Sequence, residues 1–206
     1  MNQTAFGLPP SEDNSIMNPI KEIAEFNKYI TIIGFKNVKI TDKDDLINTI
    51  QRSVKNGCLQ FFNAASIAGW EHLFFAALNA LQAFDSNINI SNSLAIETLL
   101  FASAQRQIKK AVELLGINLE SSQVAVLVIT KTKQRIKEII ETVSELISGE
   151  RDDSVIELTN EKFEAIKSLF CISEVEFGSE VTNLRSERKA LVDSVIEHIA
   201  LLVTQR

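Results

Sequence analysis

The stretch "QVAVLVIT" (residues 123–130) runs through six apolar residues without a break, Val124 to Ile129. A strand with one wet face would alternate apolar and polar side chains. An unbroken, β-branched run instead reads as a strand buried on both faces. That reading sets the fold. Outward from it, "YITIIGF" (29–35) and "CLQFFNA" (58–64) upstream and "DSVIEL" (153–158) downstream read as three more strands.

Between the strands the apolar period changes to that of helices. Thr41 opens one, with Asp44 three residues on as a short capping box, Leu46, Ile50 and Val54 inward, and Gly57 as its end. A second runs from about Ser66 to Phe84, with Leu73, Ala76, Ala77, Ala80 and Leu81 as one stripe and Trp70, Phe74, Phe75 and Leu78 as a second apolar side. Such a helix is either central in the core or partly covered by a partner. A third spans about Ser93 to Ala102, with Asn92 or Ser91 as its cap. A fourth carries Ile108, Ala111, Val112 and Leu115 before Gly116. Later helices carry Ile136, Ile139, Ile140 and Val143; then Phe163, Ile166 and Leu169 after Thr159; then Leu191, Val195, Ile199 and Leu202 over roughly 186–203. Strands and helices that alternate, with consecutive helices in the middle, predict one α/β domain of the α+β two-layer type. Its expected form is a mixed sheet of about four strands packed with about six to seven helices.

The chain has 206 residues, 45% hydrophobic and 23% charged, which suits one globular domain with a sizeable core. A net charge of −6 argues against wholesale wrapping of nucleic acid or an anionic membrane. Residues 101–140 depart from that balance. Seven Lys and Arg there face three Glu, a net of +4, so the rest of the chain carries −10. Such a segment fits either phosphate contact or a solvated helix face. Cys58 and Cys171 stand alone in apolar runs, without CxxC or Cys/His spacing. They read as small core residues of a protein in a reducing cytoplasm, not as a disulfide or zinc framework. The N-terminus lacks the basic and apolar regions of a signal peptide, and Glu71, His72, Asn79 and Gln82 interrupt the apolar run at 61–84 too often for a membrane span. Residues 1–28, with all three prolines, read as a flexible extension of a domain at 29–206.

No P-loop, dinucleotide fingerprint, nucleophile elbow or HExxH motif is present, so neither cofactor nor metal is expected. His72 and Glu97, with Glu71, are the acid–base candidates of the middle region. Glu71 and His72 point about 100° apart on a helix and cannot serve one atom together. His72 reads as a satisfied residue at the edge of the apolar stripe or as a ligand contact, and His198 as a core histidine. The polar Gln105-Arg106-Gln107 turn before the fourth helix is the unusual feature. It either offers Arg106, amide donors and free backbone N–H groups to a phosphate or base edge, or ties two consecutive helices together.

The block "SIAGWEHLFFAALNALQAF … NISNSLAIETLLFASAQRQIKKAVELLGI … VAVLVI", with "DDSVIEL" and "VIEHIALL" farther on, covers about residues 57–202. It resembles the small kinase-binding, tRNA-binding subunit of the KEOPS complex, the p53-related-protein-kinase-binding protein family, in its archaeal form. The resemblance implies a non-catalytic subunit that binds and supports a kinase-like ATPase and helps recruit tRNA by its 3′ CCA end for threonylcarbamoyladenosine modification. Its partners would be that ATPase, tRNA and, indirectly, other KEOPS subunits, with no membrane. A free-standing RNA-binding domain without enzymatic activity is the alternative. On this resemblance Arg106, Gln105, Gln107, Lys109, Lys110, His72, Asn92 and Ser93 are expected at tRNA. The helices of residues 66–102 carry more large apolar residues than one core face can absorb, so Phe74, Leu78 and Leu100 are expected at the partner. Two features depart from the family pattern: the 1–28 extension, and "GWEH", which sets an aromatic and an acid before His72. Trp70 there fits either base stacking or core packing.

Overall fold

The computed structural model describes residues 19–173 and 184–204. Its strands are β1 (Lys21–Ile23), β2 (Lys28–Lys36), β3 (Cys58–Asn63), β4 (Val124–Thr130) and β5 (Glu150–Arg151). The helices are α1 (Lys43–Ser53), α2 (Trp70–Asp85), α3 (Leu94–Ala102), α4 (Ile108–Leu115), α5 (Lys133–Leu146), α6 (Asn160–Leu169) and α7 (Leu184–Leu201). One mixed α and β domain results, as the periodicity predicts.

The strand at 124–130 is the centre of the sheet, in the order β1-β2-β4-β3 with β5 also on β2. All seven of its residues are buried. Val124, Val126 and Val128 enter a core with Ile33, Phe35 and Phe61 under α1 and α5. Ala125, Leu127 and Ile129 enter a second core with Ile30, Ile32 and Phe62 under α2, α3 and α7. Helices therefore lie on both faces of the sheet. Each pairing is antiparallel, so the sheet is not mixed. The reason lies in connectivity: β4 is laid between β2 and β3, which the chain makes first, and runs opposite to both.

Three local readings change. Asp42, not Thr41, caps α1, its Oδ1 accepting from the N–H groups of Asp44 (2.9 Å) and Asp45 (3.0 Å), and the helix ends at Ser53, before Gly57. Ser93 caps α3, accepting from Ile96 N–H at 3.4 Å, while Ser91 Oγ accepts from Ser93 N–H at 3.2 Å. Residues 153–156 form a 3-10 turn, not a strand. There Asp152 Oδ1 accepts from Ser154 N–H and Oγ, and Asp153 Oδ1 accepts from Gly34 N–H at 2.8 Å and Arg151 Nε at 2.9 Å. Side chains that bond the backbone in this way compete with a strand ladder.

The predicted extension also shortens. Lys21–Ile23 pair with Lys28–Ile30 of β2, and Ile20 packs on the core, so residues 20–28 belong to the domain. The remainder of that expectation, residues 1–18, lies outside the described residues. Cys58 is half-buried, its thiol pushed up to about 12 by burial. Cys171, expected in the core, is exposed. His198 is half-buried on α7.

Candidate partner and RNA-binding surfaces

α2, α3 and α4 follow one another and pack as a consecutive set, with α3 wedged between α2, α4 and β3. His72, in the first turn of α2, is fully buried. Its Nδ1 accepts from Ala68 N–H at 3.0 Å, which leaves the ring proton on Nε2 to donate to the Ala102 carbonyl at 2.8 Å. Burial lowers its pKa to about 4, against a smaller opposing effect of the Ala102 bond. A neutral ring with both nitrogens occupied is a core cross-tie, so His72 leaves the expected tRNA-binding set. Glu97 is likewise buried. Its carboxylate accepts from the N–H groups of Ile90 (3.0 Å) and Ser91 (2.7 Å), and so holds the loop ahead of α3.

The Gln105-Arg106-Gln107 turn does two things. Ala104 N–H donates to Phe101 O (2.9 Å) and Gln105 N–H to Leu100 O (3.0 Å), the paired bonds of a Schellman ending for α3. Ala104 stands at its left-handed position with φ 49°, where glycine is usual. Gln107 then caps α4 through its backbone only: its carbonyl accepts from Ala111 N–H at 3.0 Å, and its side chain makes no capping bond. The first-turn N–H groups of α4 thus lie beside the exposed side chains of Arg106, Gln107, Lys109 and Lys110. Arg106 Nη1 donates to Leu202 O at 3.5 Å, at the start of the 3-10 turn Leu202–Thr204 that follows α7, and Lys109 faces Glu113 at 4.0 Å. Gln105 is half-buried. Asn92 and Ser93 are exposed but sit at the other end of α3, about 13 Å away along its axis by helical rise. Gly116 closes α4 because a Cβ there would lie 2.6 Å from Val112 O.

The apolar side of α2 is partly open. Phe75 is 38% exposed, and Phe74 and Leu78 are half-buried. Trp70 stacks on Phe74 at 4.5 Å between centroids, and Phe74 meets Phe75 edge-on at 5.8 Å. Trp70 is half-buried in that aromatic row. Leu100 has no exposure at all and belongs to the core, which removes it from the expected partner surface. Phe75, which the sequence reading set on the second apolar side but not among the expected partner residues, is the most exposed of Phe74, Phe75 and Leu78. It was legible: residues 71, 75, 78 and 82 share one helix face.

Among the described residues no group of His, Cys, Asp or Glu is placed to hold a metal, and no helix is long and apolar enough to cross a membrane. Residues 35–202 match the family described as kinase binding protein CGI-121. The chain is also 31% identical over 143 residues to the "Regulatory protein Cgi121" of Methanocaldococcus jannaschii, covering 69% of this chain and 81% of that protein. The aromatic face on α2, the buried His72 and the turn at 105–107 therefore belong to a member of the CGI-121 family of kinase binding proteins.

Proposed function

We propose that this protein is the non-catalytic small subunit of a KEOPS complex. It binds and supports the kinase-like ATPase subunit and helps recruit tRNA by its 3′ CCA end for threonylcarbamoyladenosine modification. The observation that carries the reading is the open Phe74–Phe75–Leu78 face of α2 in a kinase-binding family. Large apolar side chains left half-exposed on one rigid helix suit the desolvated centre of a protein interface. A regulatory role is supported by how the acid–base candidates are used: both nitrogens of His72 and both oxygens of Glu97 are engaged in holding backbone. Recruitment of tRNA is supported by the Arg106, Lys109 and Lys110 side chains at an α4 N-terminus with no side-chain cap.

Affinity purification from the native organism, followed by identification of the bound proteins and RNA, tests the reading. A kinase-like ATPase and tRNA are the expected companions. RNA without any ATPase would replace it with a free-standing RNA-binding domain.

A further inference from the structure

At the end of the sheet where β2 starts and β4 finishes lies a cleft of about 650 Å³, the size range of small-ligand sites. Three cations line it, Lys28, Lys131 and Arg135, and no carboxylate does. In a chain of net charge −6 that separation of charge is unusual. The antiparallel ladder ends with Tyr29 opposite Thr130, and the next residue along the chain from each, Lys28 and Lys131, lines the cleft. Like charges brought together at a ladder end repel unless an anion lies between them. Among the described residues, neither lysine's ammonium group has a hydrogen-bond or ion-pair partner.

The remaining walls suit the same ligand. Arg135 is committed to structure: its Nε donates to Lys55 O at 3.0 Å and its Nη1 meets Glu138 Oε2 at 2.6 Å, which fixes the turn at 55–57 as one wall. Thr132 caps α5 by accepting from Arg135 N–H at 3.2 Å, so the 14-residue helix directs its positive end into the cleft. Leu94 and Ile129 give an apolar side on which a sugar or base can rest. An adjoining hollow shares Gly57, Cys58 and Leu94 with the cleft and reaches Ser93.

We propose that this cleft binds a nucleotide, its phosphate held between Lys28 and Lys131 at the start of α5 and its base or ribose against Leu94 and Ile129. The nucleotide is either free or the terminal unit of a single-stranded RNA; only the second source rests on the tRNA reading above. The site lies at the opposite end of α3 from the Gln105–Gln107 turn and uses none of its residues.

Calorimetric titration of the full chain with AMP, with ATP, and with a short single-stranded RNA ending in CCA tests the proposal. The same titrations are run on Lys28→Ala, Lys131→Ala and, as an exposed lysine elsewhere, Lys137→Ala, with melting curves to verify folding. Both lysines stand at strand ends, so the variants are expected to fold. Lys28→Ala and Lys131→Ala should each weaken binding about tenfold or more, as loss of a charge-assisted phosphate contact does, while Lys137→Ala should not. AMP or ATP binding with this pattern identifies a free nucleotide; binding of the RNA alone with this pattern identifies a strand end. Absence of binding by all three probes, or binding unchanged in both lysine variants, overturns the proposal. RNA binding that depends on Arg106 and not on Lys28 or Lys131 also overturns it, while leaving the tRNA reading in place.

Discussion

His72 Nε2 donates to the Ala102 carbonyl at 2.8 Å across thirty residues of chain, joining the first turn of α2 to the last of α3. The pair of bonds requires a neutral ring, because Nδ1 must keep its lone pair to accept from Ala68 N–H. Burial holds the folded pKa at about 4, below the ordinary 6.5. Above pH 6.5 both folded and unfolded chains keep the ring neutral, and its contribution is complete. As the pH falls from 6.5 through 4, the unfolded chain takes up a proton that the folded one refuses, and stability is lost, by roughly 3 kcal/mol at the limit. Urea unfolding across that window should show the loss, and His72→Gln should flatten it. An unchanged slope in the variant would assign the acid sensitivity to other groups.

Ala104 is the second test, because it carries a methyl group where the Schellman turn wants none. A non-glycine residue in the left-handed region costs about 1 kcal/mol. Ala104→Gly should therefore stabilise the protein by about that amount, reduced a little by the greater freedom of glycine in the unfolded chain. Thermal melting measures it. A lower melting temperature would mean that the methyl group's packing outweighs the backbone strain.

Leu100 and Leu78 separate core from surface on adjacent helices. A glutamate at Leu100 buries an unpaired charge and should unfold the protein or cost several kcal/mol. A glutamate at Leu78 or Phe74 should leave the melting transition nearly in place and weaken association with the kinase-like partner by roughly 2 kcal/mol or more. Paired melting and pull-down measurements decide. Unfolding by Leu78→Glu would return that face to the core, and full binding would move the interface elsewhere.

Arg106→Ala should weaken binding of CCA-ended tRNA by about 1–3 kcal/mol, the range for a contact to a charged group. Among the described residues its side chain makes one long hydrogen bond, to Leu202 O at 3.5 Å, so the fold should survive with a change within about 0.5 kcal/mol. Removing the CCA end should then cost the wild type much and the variant little, since both deletions remove the same contact. Equal losses in the two backgrounds, read by gel shift, would place Arg106 on another part of the tRNA or on the partner protein.

Much of this architecture is legible in the sequence, and the exceptions share a cause. β4, β2, β3 and the stripes of α2, α4, α5 and α7 are written in short-range periodicity, which one residue type every two or every 3.6 positions suffices to reveal. The direction of the sheet is not. It depends on β4 lying between two strands already made, a relation between residues about a hundred positions apart. His72 was ambiguous for the same reason, since its two partners come from the turn before α2 and from the end of α3. Leu100 looked like surplus apolar surface because α3 is apolar around its circumference, and only its wedging between α2, α4 and β3 explains that composition. The segment 153–156 misled through composition: Val155 and Ile156 suit a strand, but the aspartates beside them bond backbone instead. Lys28 could not be placed in one cleft with Lys131 until the register was known.

The central position of β4 also dictates a timetable for synthesis. Tyr29 leaves the ribosome about a hundred residues before its ladder partner Thr130, and β3 precedes the same partner strand by more than sixty. At ~5–20 residues per second, β2 waits roughly 5–20 s with the edge that β4 takes open along Ile30, Ile32, Ile33 and Phe35. Neither sheet core can form during that interval, because both take alternate residues of β4. The nascent chain therefore carries two apolar strands with open edges until one late segment slides between them, and its sensitivity to aggregation is concentrated in those seconds.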